Sequence, residues 1–319
     1  MELTQGQLAA IDKIKDFTEG KLQGNRFCLY GAAGTGKTTI LKEVLNNMSE
    51  RKRIGLSAPT HKAVGIFSKM MYRKGVTLHS LLGLMPNLNL EDYSNTNPVF
   101  MPKRDPEIQK YDLIIHDETS MLGYNLDKKL IDLAYKHGVK ILYIGDKYQL
   151  PPIKCSQTDA FSIENKIELL EIVRQEKGNP LLELFAIIRD DVKFKTLNFI
   201  QYLKKNPQMI SEINGVKVGY RIIKNYEDML DSSKEILVNA DNVRYLAFTN
   251  DKIAQINKYI RNNLFHSEDL ITKGDIITGY TTLSDEDNFF APILTNSSDY
   301  KVIDVEKYTS NFGIEGFKI

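Results

Sequence analysis

At 319 residues the chain is long enough for about two domains of ordinary size and a substantial core. With 42% hydrophobic and 26% charged residues its composition is that of a folded globular protein, which excludes a disordered tail or a fibrous repeat. Forty-two basic against 41 acidic side chains leave a net charge of +1, so no whole-protein field draws the chain to nucleic acid, and any site for a polyanion has to be local.

No apolar run approaches the roughly 18 residues of a membrane span, and Met1-Glu2-Leu3-Thr4 has neither the basic nor the apolar region of a signal peptide. A cytoplasmic location is expected. Two cysteines, Cys28 and Cys155, and five histidines without CxxC or HExxH spacing predict neither a disulfide framework nor a zinc site.

In chain order, Arg26 to Tyr30 reads as a strand ending in Gly31, and Thr38 to Met48 follows with apolar residues at a helical period. Between them, Gly31-Ala32-Ala33-Gly34-Thr35-Gly36-Lys37-Thr38 matches GxxxxGK[ST] in the strand-to-helix context that a P-loop requires. Glycines let such a loop turn its backbone N–H groups onto phosphate oxygens, Lys37 reaches the β/γ-phosphates, and the Thr38 hydroxyl ligates Mg²⁺. Gly31, Gly34, Thr35, Gly36, Lys37, Thr38 and Thr39 are therefore the candidate ATP-binding segment.

Ile54 to Ala58, Leu113 to His116 and Lys140 to Ile144 are further apolar strands, each followed by polar residues, the alternation of a parallel sheet flanked by helices. Open sheets of this class place ligands at the carboxyl ends of their strands. After Leu113 to His116 come two adjacent carboxylates. Asp117 is the candidate to hold Mg²⁺, and Glu118 to orient or deprotonate an attacking water. From Arg51 to Leu90 there are seven basic residues and no acidic one, whereas Gly274 to Tyr300 carries five acids and no Lys or Arg. On charge alone both are solvated patches. The proline-punctuated stretch between Leu84 and Pro106 reads as a small insertion of hairpin type. Further on, Asn179-Pro180 opens a helical region reaching about Lys205. Tyr245 to Thr249 reads as a buried strand, and Ile253, Ile256, Ile260 and Leu264 follow on one helical face. After His266 come short β-like segments.

Taken in order, these motifs resemble the superfamily 1B DNA helicases of the RecD/Dda type from Leu3 to about Lys307. Leu3-Thr4-Gln5-Gly6-Gln7 looks like the Q motif, in which Gln7 would read adenine. Ala58-Pro59-Thr60-His61-Lys62-Ala63 resembles motif Ia and Thr77-Leu78-His79-Ser80-Leu81-Leu82 motif Ib, which implies that Thr60, His61, Lys62, Thr77 and His79 touch single-stranded DNA. Asp117-Glu118-Thr119-Ser120-Met121 is similar to motif II. Gly145 to Pro152 is similar to motif III, with Gln149 sensing the γ-phosphate, and Glu171 to Gln175 resembles motif IV, making Arg174 an arginine finger. Ala247-Phe248-Thr249-Asn250 resembles the strand that opens a second RecA-like domain, with Thr249 and Asn250 on DNA. Pro98 to Met101 aligns with a pin hairpin, whose Phe100 would stack on a base.

Read without the resemblance, each has a plainer role. Thr60, His61 and His79 cap helices or satisfy core hydrogen bonds, Gln149 before two prolines marks a turn, Arg174 makes a surface ion pair, Gln7 is an exposed polar residue, and Phe100 tucks under its insertion.

The resemblance implies an α/β fold: a RecA-like domain over 1–178 with the insertion at about 85–106, a partial RecA-like domain over 179–266, and a partial β-rich, SH3-like module over 267–319. It also implies an ATP- and Mg²⁺-dependent 5′ to 3′ helicase on single-stranded and fork DNA, in phage or bacterial replication, recombination or repair. The family's motifs V and VI do not occur before Ile319. The expectation is therefore an incomplete motor, complemented by a companion chain or working with replication or recombination proteins. The alternative is a nucleotide-switched single-stranded DNA-binding ATPase that does not unwind by itself. A P-loop kinase or small-molecule ATPase would leave motifs Ia and Ib unexplained.

Overall fold

The computed structural model describes residues 3–48, 52–86, 100–152, 155–173, 178–232, 244–265 and 269–279, with shorter stretches between 283 and 318. The chain divides into one compact unit of Met1–Lys177, Val192–Lys195 and Thr278–Ser298, and another made of Gly178–Asp191, Thr196–Ile277 and Asp299–Ile319.

The first unit runs α1 (Gln5–Glu19), β1 (Arg26–Gly31), α2 (Lys37–Asn46), β2 (Ile54–Ala58), α3 (His61–Met71), β3 (Gly75–Thr77), α4 (Leu78–Leu81), β4 (Leu84–Pro86), β5 (Phe100–Pro102), β6 (Leu113–His116), α5 (Tyr124–His137), β7 (Lys140–Gly145) and β8 (Lys166–Leu169). Six strands form one sheet in the order β3-β2-β6-β7-β1-β8, and every pairing in it is parallel. Alternation along the strands divides the core in two. Phe27, Leu29, Leu113, Ile115, Leu142 and Ile144 pack with α1, α2 and α3, whereas Cys28, Tyr30, Ile114, Ile141 and Tyr143 pack with α4 and α5. A sheet covered on both faces needs apolar residues on both, which is why these strands read as continuous apolar runs.

Local chemistry sets the helix ends. Thr4 and Gln7 form a reciprocal capping box at the start of α1, and Gly20, with φ of 85°, closes the helix in the left-handed conformation. Thr60 and Thr77 cap α3 and α4 by accepting the N–H of Ala63 and Ser80. The stretch from Leu84 does contain a hairpin: β4 and β5 pair antiparallel, Pro86 opposite Phe100. Residues 87–99, including Pro98 and Val99, lie outside the described residues.

Past Gly178 the helical region is two helices, α6 (Pro180–Phe194) and α7 (Asn198–Lys205). They break where Lys195 turns left-handed, with φ of 56°, and where Asp191 accepts the N–H groups of Asn198 (2.9 Å) and Phe199 (2.7 Å). Strands β9 (Gln208–Ile213) and β10 (Val216–Arg221) make a hairpin through Asn214-Gly215, both at positive φ, as a tight primed turn requires. The expected buried strand Tyr245–Thr249 is not formed. The segment from Arg244 to Ala247 belongs to no regular element, and Leu246 and Phe248 are fully exposed. A strand is stable only when neighbouring strands take its backbone hydrogen bonds, and no described strand pairs with this segment. The following helix, Asn250–Ile260, is as expected, with Ile256 buried. The β-rich end of the chain is described only as two-stranded pairs, not as a closed barrel.

One buried polar cluster ties the sheet to α5 and to the segment after β7. The Asp127 carboxylate, 2% exposed, accepts the Tyr143 hydroxyl at 2.6 Å and the Thr158 hydroxyl, while nearer the surface Arg26 pairs with Asp159 at 2.8 Å. Removing one donor leaves a buried acceptor short of a bond, so Tyr143→Phe is expected to lower the unfolding free energy by about 1–3 kcal/mol in urea titrations.

Candidate nucleotide and nucleic-acid site

The loop between β1 and α2 is held from three sides. Gly34 and Gly36 take φ of 82° and 88°, conformations that a Cβ would strain. Thr35, 1% exposed, turns its hydroxyl back onto the Ala32 carbonyl at 2.9 Å. From behind, the Gln7 amide donates to the Thr35 carbonyl at 3.0 Å and its oxygen accepts the Thr4 N–H at 3.0 Å, while the Val173 N–H donates to the Gly34 carbonyl at 2.9 Å. Gln7 is thus 4% exposed and not a loose surface residue. A side chain at Gly36 would collide with that same amide. Inside the loop, the Lys37 ammonium donates to the carbonyls of Gly31 (2.7 Å) and Ala32 (3.0 Å). Thr38 is half-buried and Thr39 exposed, both in the first turn of α2.

Asp117 and Glu118 follow the last residue of β6. The Asp117 N–H donates to the Ser57 carbonyl at 2.9 Å, continuing the ladder to β2 by one step. Glu118 then takes φ of 53°, a left-handed conformation uncommon for a non-glycine residue. Burial pushes the Asp117 carboxyl up to about 6; the adjacent Glu118 charge adds to this, and the Glu118 N–H and the Lys37 ammonium oppose it. Magnesium takes hard oxygen ligands, retains several waters and needs few protein groups. The Thr38 hydroxyl and the Asp117 carboxylate are donors of that kind, and a carboxyl raised by burial is one that a divalent cation would return to its charged form. The donor set therefore fits Mg²⁺. Among the described residues no cluster of three or more His, Cys, Asp or Glu offers a metal site of another type.

Gln149 lies past the end of β7, exposed, its N–H on the Asp146 carbonyl at 3.1 Å in a turn that the Asp146 carboxylate also braces through the Tyr148 N–H at 3.1 Å. Arg174 lies outside the described residues.

Along the same edge of the sheet, Thr60 and Thr77 spend their hydroxyls on helix capping, His61 is half-buried in the first turn of α3, and Lys62 is exposed. The His79 ring lies against Phe100, centroids 4.0 Å apart and planes tilted by 30°. Phe100 pairs with Pro86 at the end of the β4–β5 ladder nearest the connecting segment, and its ring packs against the core beside α4. An exposed apolar ring is stabilised by whatever face lies nearest, and here that face is the His79 imidazole. Burial drives His79 down to about 4, helped by Lys129, so the ring is neutral near pH 7, and burial lowers His61 as well. Thr249 and Asn250 belong to the second unit, where Thr249 caps the helix Asn250–Ile260 by accepting the Lys252 N–H at 3.3 Å; both are exposed.

Two residues of this region carry no sequence signal. Ser57 and His116, both fully buried on adjacent strands, share a hydrogen bond of 2.8 Å between Oγ and Nδ1, and burial pushes His116 down to about 3. Apolar-run reasoning passes over a serine or histidine inside a strand, and only the register of β2 against β6 brings the two together.

Comparison with known proteins agrees with the resemblance carried by the motifs. The AAA domain profile matches residues 16–154. The ATP-dependent DNA helicase Dda of Enterobacteria phage T4 is 26% identical over 328 aligned positions, which take in 98% of this chain and 69% of that protein. The ATP-dependent RecD2 DNA helicase of Deinococcus radiodurans is 32% identical over 167 positions, 51% of this chain and 22% of that one. The chain is thus similar to superfamily 1B helicases of the Dda, RecD and Pif1 type, which are named as ATP-dependent DNA helicases. Its fold agrees: a solved structure of Pif1 helicases at forked double-stranded DNA superposes with a TM-score of 0.51 at 19% identity, covering 99% of this chain and 76% of that one. No helix among the described residues is long and apolar enough to cross a membrane.

Because the folded-state value of His79 lies below the ordinary 6.5, the unfolded chain takes up its proton first as the pH falls. The stability this burial contributes is complete above pH 6.5 and is lost as the pH drops from there toward 4. Unfolding free energies are expected to fall by about 1 kcal/mol per pH unit across that window from this residue, and His79→Gln should flatten the slope by the same amount.

Proposed function

We propose that the chain is an ATP-driven motor that moves 5′ to 3′ along single-stranded DNA and opens duplex at forks during phage or bacterial replication, recombination or repair, in the cytoplasm. The observation that carries this reading is one of placement. The phosphate loop after β1, the carboxylate pair after β6, the Gln149 turn after β7, and the Thr60–Lys62 and Thr77–His79 segments after β2 and β3 all leave the same edge of one parallel sheet. A nucleotide site and a polyanion site on neighbouring strand ends are what a motor needs if hydrolysis at one is to move the other.

In this reading the loop N–H groups and Lys37 hold the β- and γ-phosphates, with Gly31, Gly34, Thr35, Gly36 and Thr39 shaping the cradle. Thr38 and Asp117 would hold Mg²⁺, which would offset charge on the transferred phosphoryl group. Glu118 positions and deprotonates the attacking water, Gln149 senses the γ-phosphate, and Arg174 acts as the arginine finger. Gln7 presents its second amide proton to adenine in the cleft lined by Thr4, Gly6, Gln7, Thr35, Leu169 and Glu171. DNA phosphates are met by Lys62 and by polar groups of Thr60, His61 and Thr77, bases by the His79–Phe100 pair, and the second unit contributes Thr249 and Asn250. The basic, acid-free stretch from Arg51 to Leu90 supports this path, since it supplies the local positive field that the net charge of +1 does not.

Lys37→Ala is expected to abolish nucleotide binding or hydrolysis, whereas Glu118→Gln keeps nucleotide binding and loses turnover. Fluorescent-nucleotide titration and phosphate release measure the two separately, and wild-type turnover in purified Lys37→Ala would remove the basis of the assignment. For DNA, affinity for an oligonucleotide should fall steeply with salt, and Lys62→Ala should reduce the slope of log K against log salt by about one unit. A salt-independent affinity would mean that phosphates are not what the protein holds.

A further inference from the structure

A buried polar row crosses the centre of the sheet one residue before the functional edge. Ser57 on β2 stands opposite His116 on β6, which stands opposite Tyr143 on β7, and all three are 0% exposed. Ser57 makes two bonds to the same neighbouring segment. Its hydroxyl meets His116 Nδ1 at 2.8 Å, and its carbonyl accepts the Asp117 N–H at 2.9 Å. The second is the ordinary continuation of a parallel ladder. The first depends on two side chains that a stability-driven core would not select, because His116 Nε2 is buried with no hydrogen-bond partner among the described residues. An aliphatic residue like its neighbours Ile114 and Ile115 would avoid that cost.

The two ends of this bond lead to different chemistry. Beyond Ser57 the chain passes through Ala58, which pairs with Thr77, and the conformationally fixed Pro59 to Thr60, the cap of α3. Beyond His116 it passes directly to Asp117 and to Glu118 in its left-handed conformation, a state held only when its surroundings require it.

We propose that His116, through its bond to Ser57, is a positioning residue that couples DNA at the Thr60–Lys62 end of β2 to the geometry of Asp117 and Glu118, and so sets how strongly DNA stimulates ATP hydrolysis. This rests on the function proposed above. DNA that shifts the Thr60 cap moves a stiff link ending at Ser57, and the hydrogen bond carries the shift to the residue preceding the carboxylates. Both side chains are fully buried, so the bond acts on the site only through the backbone and governs the DNA-stimulated rate more than the rate without DNA.

The test compares wild type, the double variant Ser57→Ala/His116→Leu, and His116→Asn, whose shorter amide reaches the Nδ1 position and keeps a partner for Ser57. Phosphate release is measured for each with and without oligo-dT, together with the thermal midpoint. In the double variant the midpoint should equal or exceed that of wild type and the DNA-free rate should be preserved, while the stimulated-to-unstimulated ratio falls on the order of tenfold. His116→Asn should recover most of that ratio. A double variant that keeps the ratio within about twofold of wild type overturns the inference and leaves the proposed function standing, as does one in which both rates fall together with the midpoint. If wild type itself shows no stimulation by oligo-dT, the proposed function falls and the coupling falls with it.

Discussion

Parallel pairing brings the carboxyl ends of all six strands to one edge of the sheet, and everything proposed for this molecule depends on that constraint. A parallel strand cannot be followed by a tight turn; the chain has to cross over, usually through a helix, and re-enter at the opposite end. Each crossover here starts at the same edge, so the phosphate loop, the carboxylate pair, and the caps of α3 and α4 are neighbours in space although about 80 residues of sequence separate Lys37 from Asp117. Register finishes the alignment. Ala58 opposite Thr77, and Ser57 opposite His116, set which residue of each loop is first to leave the sheet.

Rigidity at that edge comes from polar groups used for support. Gln7 spends its amide on a helix cap and on the Thr35 carbonyl, Val173 spends its N–H on the Gly34 carbonyl, and Thr35 turns inward. A loop so braced presents its remaining N–H groups without first having to be ordered, which is the condition for electrostatic stabilisation of a phosphoryl group. Lys37 bonded to the carbonyls of its own loop is a cation stored where a phosphate would draw it outward.

The nucleic-acid edge is built differently. Its threonines cap helices, its histidines are neutral by burial, and its aromatic ring rests on one of those histidines. Capping does not disqualify a hydroxyl from a phosphate contact, because the N-terminus of a helix is itself an anion-attracting end. The plain structural roles and the functional ones therefore coincide at Thr60 and Thr77. Phe100 rests on His79, and the partly buried ring pair is the one proposed to meet the bases.

Sequence alone was enough for the elements whose signal is local. The strands Arg26–Gly31, Ile54–Ala58, Leu113–His116 and Lys140–Gly145 stand where continuous apolar runs demand two-sided burial, and the phosphate loop stands where glycines, lysine and threonine have one workable spacing. Tyr245 to Thr249 has the same apolar signature and forms no strand, because an apolar run states a need for neighbours and cannot supply them. Tertiary structure alone decided the partners: that Gln7 braces the phosphate loop, that Phe100 lies on His79, and that Ser57 meets His116. Those contacts join residues 21 to 59 positions apart, and no periodicity or composition encodes a pairing that exists only after the strands have chosen their order and register.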